Sequence, residues 1–255
     1  MLHWPDNMFT YAVEDKVLFS SDAFGQHYAG PERFDDEIGD EIMKHAKKYF
    51  ANILMLYAKK TKKTIDAVTE LGLEFDVICP DHGIIWRKNP GAIIEKYLEW
   101  GEQKAKKKAI VVYDTMWHST EVMAEAICQG LAELNIEAKP IHLRKWHRSD
   151  IMVDVMDAKA IIVGSPTLNN NIYPTVIDFL TYLKGLKPKN KIGAAFGSYG
   201  WSGESIKQIN IEFEKMKFEI LDSISQGLKL QYVPDKNGID ECINFGRIIG
   251  EAINK

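Results

Sequence analysis

In the second half of the chain short apolar runs alternate with helix-like stretches, and this alternation restricts the fold more than any other feature. Ala109–Tyr113 is an apolar run without polar alternation, the pattern of a strand buried on both faces. Met123, Ile127, Leu131 and Leu134 then recur at helical spacing. Ala138–Leu143 and Ala160–Val163 read as the next two strands. Pro174 sits where a first-turn proline belongs and opens a helix over Thr175–Leu183. Ile192–Phe196 is a fourth strand, Glu204–Met216 a helix, Leu228–Tyr232 a fifth strand and Ile239–Ile253 a closing helix. Such alternation predicts an α/β fold: a doubly wound, parallel five-stranded sheet in three layers with right-handed crossovers.

Three of these strands run into polar loops. The first comprises Asp114, Thr115, Met116, Trp117, His118, Ser119 and Thr120, and the second Ser165, Pro166, Thr167, Leu168, Asn169 and Asn170. The third runs from Phe196 through Gly197, Ser198, Tyr199, Gly200, Trp201 and Ser202 to Gly203. A doubly wound sheet gathers such loops at the carboxyl ends of its strands, where ligands bind. A helix beginning near Ser119 offers free N–H groups and the positive end of its dipole to a dianion, with the Thr115, Ser119 and Thr120 hydroxyls beside them. No lysine or arginine lies in that loop. Neutral donors suit a permanently held phosphate monoester better than a transferring triphosphate, which calls for a P-loop lysine and a metal. Taken alone, an ordinary capped helix start explains this loop equally well. The other loops shift the balance. Asn169, Asn170 and Asn171 supply amides for a heteroaromatic edge, and Gly197, Gly200 and Gly203 let backbone approach a flat ring. Tyr199 and Trp201 offer faces to stack on it. Together the loops predict a site for flavin mononucleotide (FMN).

The first half is less regular. Lys16–Ser20 reads as a strand, Asp36–Tyr57 as one long helix or two, Lys62–Leu71 as a helix and Phe75–Cys79 as a short strand before the turn Pro80-Asp81-His82-Gly83. Pro90–Gln103 is a further helix. The pattern changes across the lysine-rich run 101–108, which places a domain boundary between residues 1–104 and 105–255. One or two strands with three helices cannot cover both faces of a sheet, so the first domain is expected to be incomplete. His3, Asp22 and His82 each flank a strand-like segment. Imidazole with carboxylate suits iron, zinc or manganese, and an aspartate can bridge two metals. Lone histidines and aspartates at strand ends are more often caps or solvated side chains.

Composition narrows the classes of function. A net charge of -4 gives no electrostatic reason for a nucleic-acid or anionic-membrane partner. Cys79, Cys128 and Cys242 are odd in number and lack CxxC spacing, which argues for reduced cytoplasmic thiols and against a thiolate metal site. No apolar stretch approaches bilayer length and no basic-then-apolar leader opens the chain, so a cytoplasmic protein is expected.

Tyr113–Thr120, Gly164–Asn170 and Phe196–Glu204 resemble the FMN loops in the flavodoxin-like domain of flavodiiron proteins (A-type flavoproteins). One departure is His118, where a small residue, often glycine, is common. Leu2–Phe9, Phe19–His27, Arg33–Asp36 and Pro80–Gly83 resemble the second half of that family's metallo-β-lactamase-like (αββα) domain. The resemblance implies a non-haem diiron centre in which His3 ligates one iron, Asp22 bridges both and His82 ligates the other. His27 would stand behind the ligands or in the substrate pocket as the candidate catalytic residue, and Asp81 would orient the His82 turn. The family's other ligand run, His-x-Glu-x-Asp-His, is nowhere in these 255 residues and would lie upstream of Met1. A truncated or split product, a complementary chain carrying the missing half, and a metal-free remnant remain open explanations. The implied activity is an oxidoreductase of anaerobes, passing electrons from reduced FMN to the irons to reduce dioxygen to water or nitric oxide to nitrous oxide. Implied partners are rubredoxin, a flavin reductase or reduced deazaflavin as electron donor, and further copies of the chain in a homodimer or tetramer. The alternative is a flavodoxin-like FMN electron carrier with no catalytic metal. A metallohydrolase would leave the three flavin loops without a reason.

Overall fold

The chain parts at Lys104 into two units, in a computed structural model that describes residues 3–255; Leu2, at the head of the His3 motif, lies outside them. In the first unit, β1 (Thr10–Ala12) pairs antiparallel with β2 (Val17–Ser21), which pairs in parallel with β3 (Val77–Pro80). The strand β1 is an addition to the expected elements; at 3 residues it is too short to display a period. Four α-helices accompany this sheet: α1 (Asp35–Ile38), α2 (Glu41–Tyr49), α3 (Ala58–Glu70) and α4 (Pro90–Gly101). The stretch read as one long helix or two breaks at Gly39, whose φ of 77° ends α1. After Tyr49 the backbone widens into a π turn over Phe50–Leu54 and tightens to a 3-10 turn over Met55–Tyr57. That irregular segment buries Phe50, which meets Tyr97 at 5.1 Å and Trp100 at 5.6 Å between ring centroids. Aromatic packing of α4 against it therefore outweighs uniform helix geometry.

The second unit contains the expected parallel sheet. Its strands are β4 (Lys106–Tyr113), β5 (Glu137–His142), β6 (Ala158–Gly164), β9 (Ile192–Tyr199) and β10 (Leu228–Gln231). Between β6 and β9 lies a small hairpin, β7 (Thr167–Leu168) and β8 (Asn171–Ile172). The helices are α5 (Ser119–Ala132), α6 (Arg148–Asp157), α7 (Pro174–Leu186), α8 (Glu204–Met216) and α9 (Lys236–Asn254). The sheet order is β5-β4-β6-β9-β10, with every pairing parallel. Ile110, Val111 and Val112 of β4 and Ile161, Ile162 and Val163 of β6 are all 0% exposed, as strands covered on both faces require. Each such side chain contributes roughly 1.5–3 kcal/mol by leaving water.

Helices α5 and α9 pack together on one face. A Cβ on Gly130 would meet the Ile243 carbonyl oxygen at 2.0 Å, and one on Gly246 the Ile127 carbonyl oxygen at 2.2 Å, so both positions must be bare for the helices to touch through backbone. Helices α6, α7 and α8 pack in series, α6 against β4 and β6 and α8 against β9. The chain leaves β4 for β5 on one side, then returns past β4 to β6 on the other. A crevice opens at the carboxyl ends of strands where the winding reverses in this way. Among the described residues no helix is long and apolar enough to cross a membrane.

Candidate functional site

At that edge the three polar loops converge on a cleft of about 670 Å³, within the usual size of small-molecule sites. Met116, Trp117 and Ser119 come from the loop after β4, and Pro166, Thr167, Leu168, Asn169 and Asn170 from the loop and hairpin after β6. Ser198, Tyr199, Gly200 and Trp201 come from the end of β9. Trp117 is 82% exposed and Trp201 98%, an unusual state for two indoles at one cleft unless a ligand covers them. Asn169 and Asn170 have φ of 50° and 57°, which forms the tight turn joining β7 to β8. Gln208 on α8 pins that turn: its amide donates to the Asn170 carbonyl at 3.1 Å and its Oε1 accepts from Ile172 N at 3.1 Å.

The other candidate residues stand behind this lining. Thr120 and Ser198 hydroxyls meet at 3.0 Å, tying the first loop to the third. Ser165 Oγ accepts from Tyr173 N at 3.0 Å. Gly197 abuts the Ser165 backbone and Gly203 caps α8. Thr115 is 3% exposed and its Oγ1 is buried without a hydrogen-bond partner, which is costly unless something outside the chain supplies one. His118 precedes α5 with φ of 67°, a left-handed conformation that accounts for the commoner glycine there. Its Nδ1 lies 2.6 Å from Glu121 Oε2, and the side chain is largely exposed. That contact, with the Tyr113 hydroxyl donated at 2.9 Å, holds the Glu121 carboxyl below its usual range.

Several contributors went unanticipated. Tyr232 and Val233, just past β10, line the cleft with Ser202; the strand-end rule applied to the fifth strand would have found the first two. A buried network also lies behind the first loop. Asp114 is 0% exposed and accepts from Arg144 Nε at 2.9 Å, from its neighbour's Thr115 N at 2.6 Å and from Thr175 Oγ1, with His142 Nε2 at 3.2 Å. Arg144 Nη2 also donates to the Thr115 carbonyl.

In the first unit, the turn after β2 and the turn after β3 bring Asp22 Oδ1 and His82 Nε2 to 3.2 Å. Two groups sharing a cation through bonds of about 2.1 Å stand roughly 3 Å apart, so this spacing suits either a hydrogen bond or a common metal. Asn7 Nδ2 donates to Asp22 Oδ2 at 3.1 Å. Gln26 Oε1 accepts from Ile84 N at 2.8 Å and fixes the His82 turn. His27 lies at 6.0 Å from His82 and 4.9 Å from Tyr49 between ring centroids. Burial, then the neighbouring His82 and Lys48, pushes its imidazole below the usual value. His3 packs edgewise on Trp4 at 5.8 Å. Among the described residues no group of three or more His, Cys, Asp or Glu side chains gathers closely enough to hold a metal ion. Among the described residues of the first unit, Asp22 and His82 thus form a carboxylate–imidazole pair, short of the ligands that two irons need.

A family model described as Flavodoxin matches residues 111–246, and one described as ODP family beta lactamase matches residues 1–83. The chain belongs to the flavodoxin family through its second unit, and over nearly its whole length it is similar to flavodiiron proteins. A nitric oxide reductase of Moorella thermoacetica is 45% identical over 254 residues, which cover 99% of this chain and 63% of that protein. The solved rubredoxin oxygen:oxidoreductase of Desulfovibrio gigas is 40% identical with a TM-score of 0.95, over 100% of this chain and 63% of that one. A flavodiiron protein of Giardia intestinalis matches with a TM-score of 0.93 at 33% identity, over 99% of this chain and 62% of that one. The chain therefore spans 52–63% of the length of the curated relatives it matches.

Proposed function

We propose that this chain is the flavin-bearing part of a flavodiiron-type oxidoreductase that reduces dioxygen to water or nitric oxide to nitrous oxide. The observation that carries the reading is the cleft at the reversal of the sheet, lined by two exposed indoles, with the unpartnered Thr115 hydroxyl next to the lining residue Met116. The donors from Thr115 to Thr120 would hold the phosphate of FMN, and Trp117, the Asn169–Asn170 turn, Tyr199 and Trp201 would hold its ring. Bound FMN supplies the ability to take up electrons in a pair and release them singly. The protein's work is to hold the phosphate, orient the ring and shield it from water.

Residues His3, Asp22 and His82 are this chain's contribution to a diiron centre, whose remaining ligands come from a segment or chain that these residues do not include. Of the three, Asp22 and His82 stand together, at 3.2 Å. Rubredoxin is the proposed electron donor, because the similar Desulfovibrio gigas protein is a rubredoxin oxygen:oxidoreductase; a flavin reductase or reduced deazaflavin is the alternative. The proposed setting is the cytoplasm, and the proposed assembly a homodimer or tetramer.

A second reading has its own observation. The Flavodoxin match over residues 111–246 supports a flavodoxin-like FMN carrier that delivers electrons to a partner without a metal of its own. Flavin and iron analysis of the purified chain after anaerobic reconstitution decides. Stoichiometric flavin with iron that is lost in His82→Ala supports the first reading. Flavin with no iron, in the chain alone, supports the carrier. A protein that takes up neither refutes both.

A further inference from the structure

We infer that Arg144 and Asp114 make the cleft select a phosphorylated flavin over an unphosphorylated one; the inference rests on the flavin reading above. Asp114 is fully buried and immediately precedes the loop whose donors are to hold a phosphate. A buried carboxylate beside a bound dianion repels it unless a cation intervenes, because the low-dielectric surroundings strengthen the repulsion. Arg144, thirty residues away at the end of β5, supplies that cation. Its guanidinium grips one oxygen of the Asp114 carboxylate, with Nε at 2.9 Å and Nη2 at 2.8 Å from Oδ1, beside His142 Nε2 at 3.2 Å. Thr175, in the first turn of α7, donates its hydroxyl to the other carboxylate oxygen.

Arg144 has a second effect, on geometry. Its Nη2 also holds the Thr115 carbonyl. In a trans peptide the N–H points opposite to the C=O, so this grip turns the Met116 N–H away from the guanidinium, and Met116 lines the cleft. The same loop holds Thr115 Oγ1 buried and unpartnered. Arg144 thereby cancels a charge that would repel the phosphate and fixes a peptide beside it without entering the loop itself. It is a positioning residue, and its influence falls on the phosphate end of the ligand only.

The test compares FMN with riboflavin, which share a ring and differ in the phosphate. The full chain, stripped of flavin, is titrated with each while flavin fluorescence quenching is followed. The wild-type chain is expected to favour FMN. Arg144→Gln should weaken FMN binding about tenfold or more, the loss of one charge-assisted contact set, and leave riboflavin within about twofold. The paired variant Asp114→Asn with Arg144→Gln removes both charges and should recover at least about threefold of that loss. Should Arg144→Gln fail to fold, Arg144→Lys keeps the charge without the planar fork and is expected to show a smaller, still FMN-specific loss. Equal losses for FMN and riboflavin would mean a merely structural role and overturn the inference. So would unchanged FMN binding, or a paired variant no better than Arg144→Gln, which would make Arg144 a direct phosphate ligand. A wild-type chain that binds neither flavin brings down the flavin reading itself, a result distinct from all of these.

Discussion

Replacing Gly197 with alanine is the perturbation whose consequence can be worked furthest from the structure. Gly197 lies on β9 where it faces the first residue of the second loop, and a Cβ there would meet the Ser165 carbonyl oxygen at 1.9 Å and its carbonyl carbon at 3.0 Å. Ordinary contact begins near 3.4 Å, so the Ser165 peptide must retreat by about 1.5 Å. The obstacle is backbone, not the end of a flexible side chain, so no rotamer change relieves it. Retreat also breaks the Ser165 N to Phe196 O hydrogen bond of 3.1 Å and carries Pro166 and Thr167, both cleft residues, away from the ring. Overpacking a filled interior costs about 1–3 kcal/mol, and the backbone origin places this case at the top of that span. For a unit of this size about 3 kcal/mol corresponds to a fall of about 6–12 °C in the melting temperature. FMN affinity should fall by about tenfold or more, since each lost hydrogen bond to the ligand is worth on the order of 1 kcal/mol. Thermal unfolding by circular dichroism, with and without FMN, reads both effects. Gly185→Ala is the control: nothing stands within 4 Å of its Cβ, and helix propensity should stabilise it by about 0.5–1 kcal/mol. A Gly197→Ala chain that melts with the wild type and binds FMN equally well would refute the close-approach argument.

Other outcomes follow from the same geometry. Thr115→Ala with Ser119→Ala should weaken FMN retention several-fold, measured by equilibrium dialysis; unchanged affinity would put the phosphate elsewhere. Trp201→Ala should shift the flavin's midpoint potentials in spectroelectrochemical titration, because it alters what the ring faces, and identical potentials would remove Trp201 from the site. Burial pushes the Asp154 carboxyl up, yet the ammonium groups of Lys108 at 2.7 Å and Lys139 at 3.1 Å win and hold it below its usual value of 3.8. A carboxyl depressed in the folded state stabilises at pH above its unfolded value and loses that contribution as pH falls through the folded one. Asp154→Asn should therefore lower the melting temperature at neutral pH, with the gap closing below about pH 3.8; a gap that widens in acid would contradict the pairing.

What the sequence made legible was the part governed by short-range pattern. Unbroken apolar runs fix β4 and β6 as central strands, and the polar residues after them must then share one edge, which is why most of the cleft could be named. Contacts across long separations left no such trace. Arg144 stands in a polar stretch with no period, and only the sheet order, which brings β5 beside β4, makes it a neighbour of Asp114. Glycines at 197 and 203 looked like room for a ring, whereas the space at Gly197 is taken by the Ser165 backbone. In the first unit the π turn at Phe50–Leu54 was hidden because its residues satisfy a helical pattern, and its departure from regularity is set by ring packing with α4. The pair Asp22–His82 was visible through strand-end position and resemblance together; neither signal alone predicts their 3.2 Å approach.

The central claim is that the cleft at the reversal of the sheet is a flavin site with its phosphate on uncharged donors ahead of α5. A crystal structure of the chain grown with saturating FMN tests it most directly. The account predicts the phosphate among the Thr115–Thr120 N–H and hydroxyl groups, and the ring between Trp117 and Trp201. A cleft that stays empty at saturation, or a flavin bound with its phosphate on another loop, would contradict it.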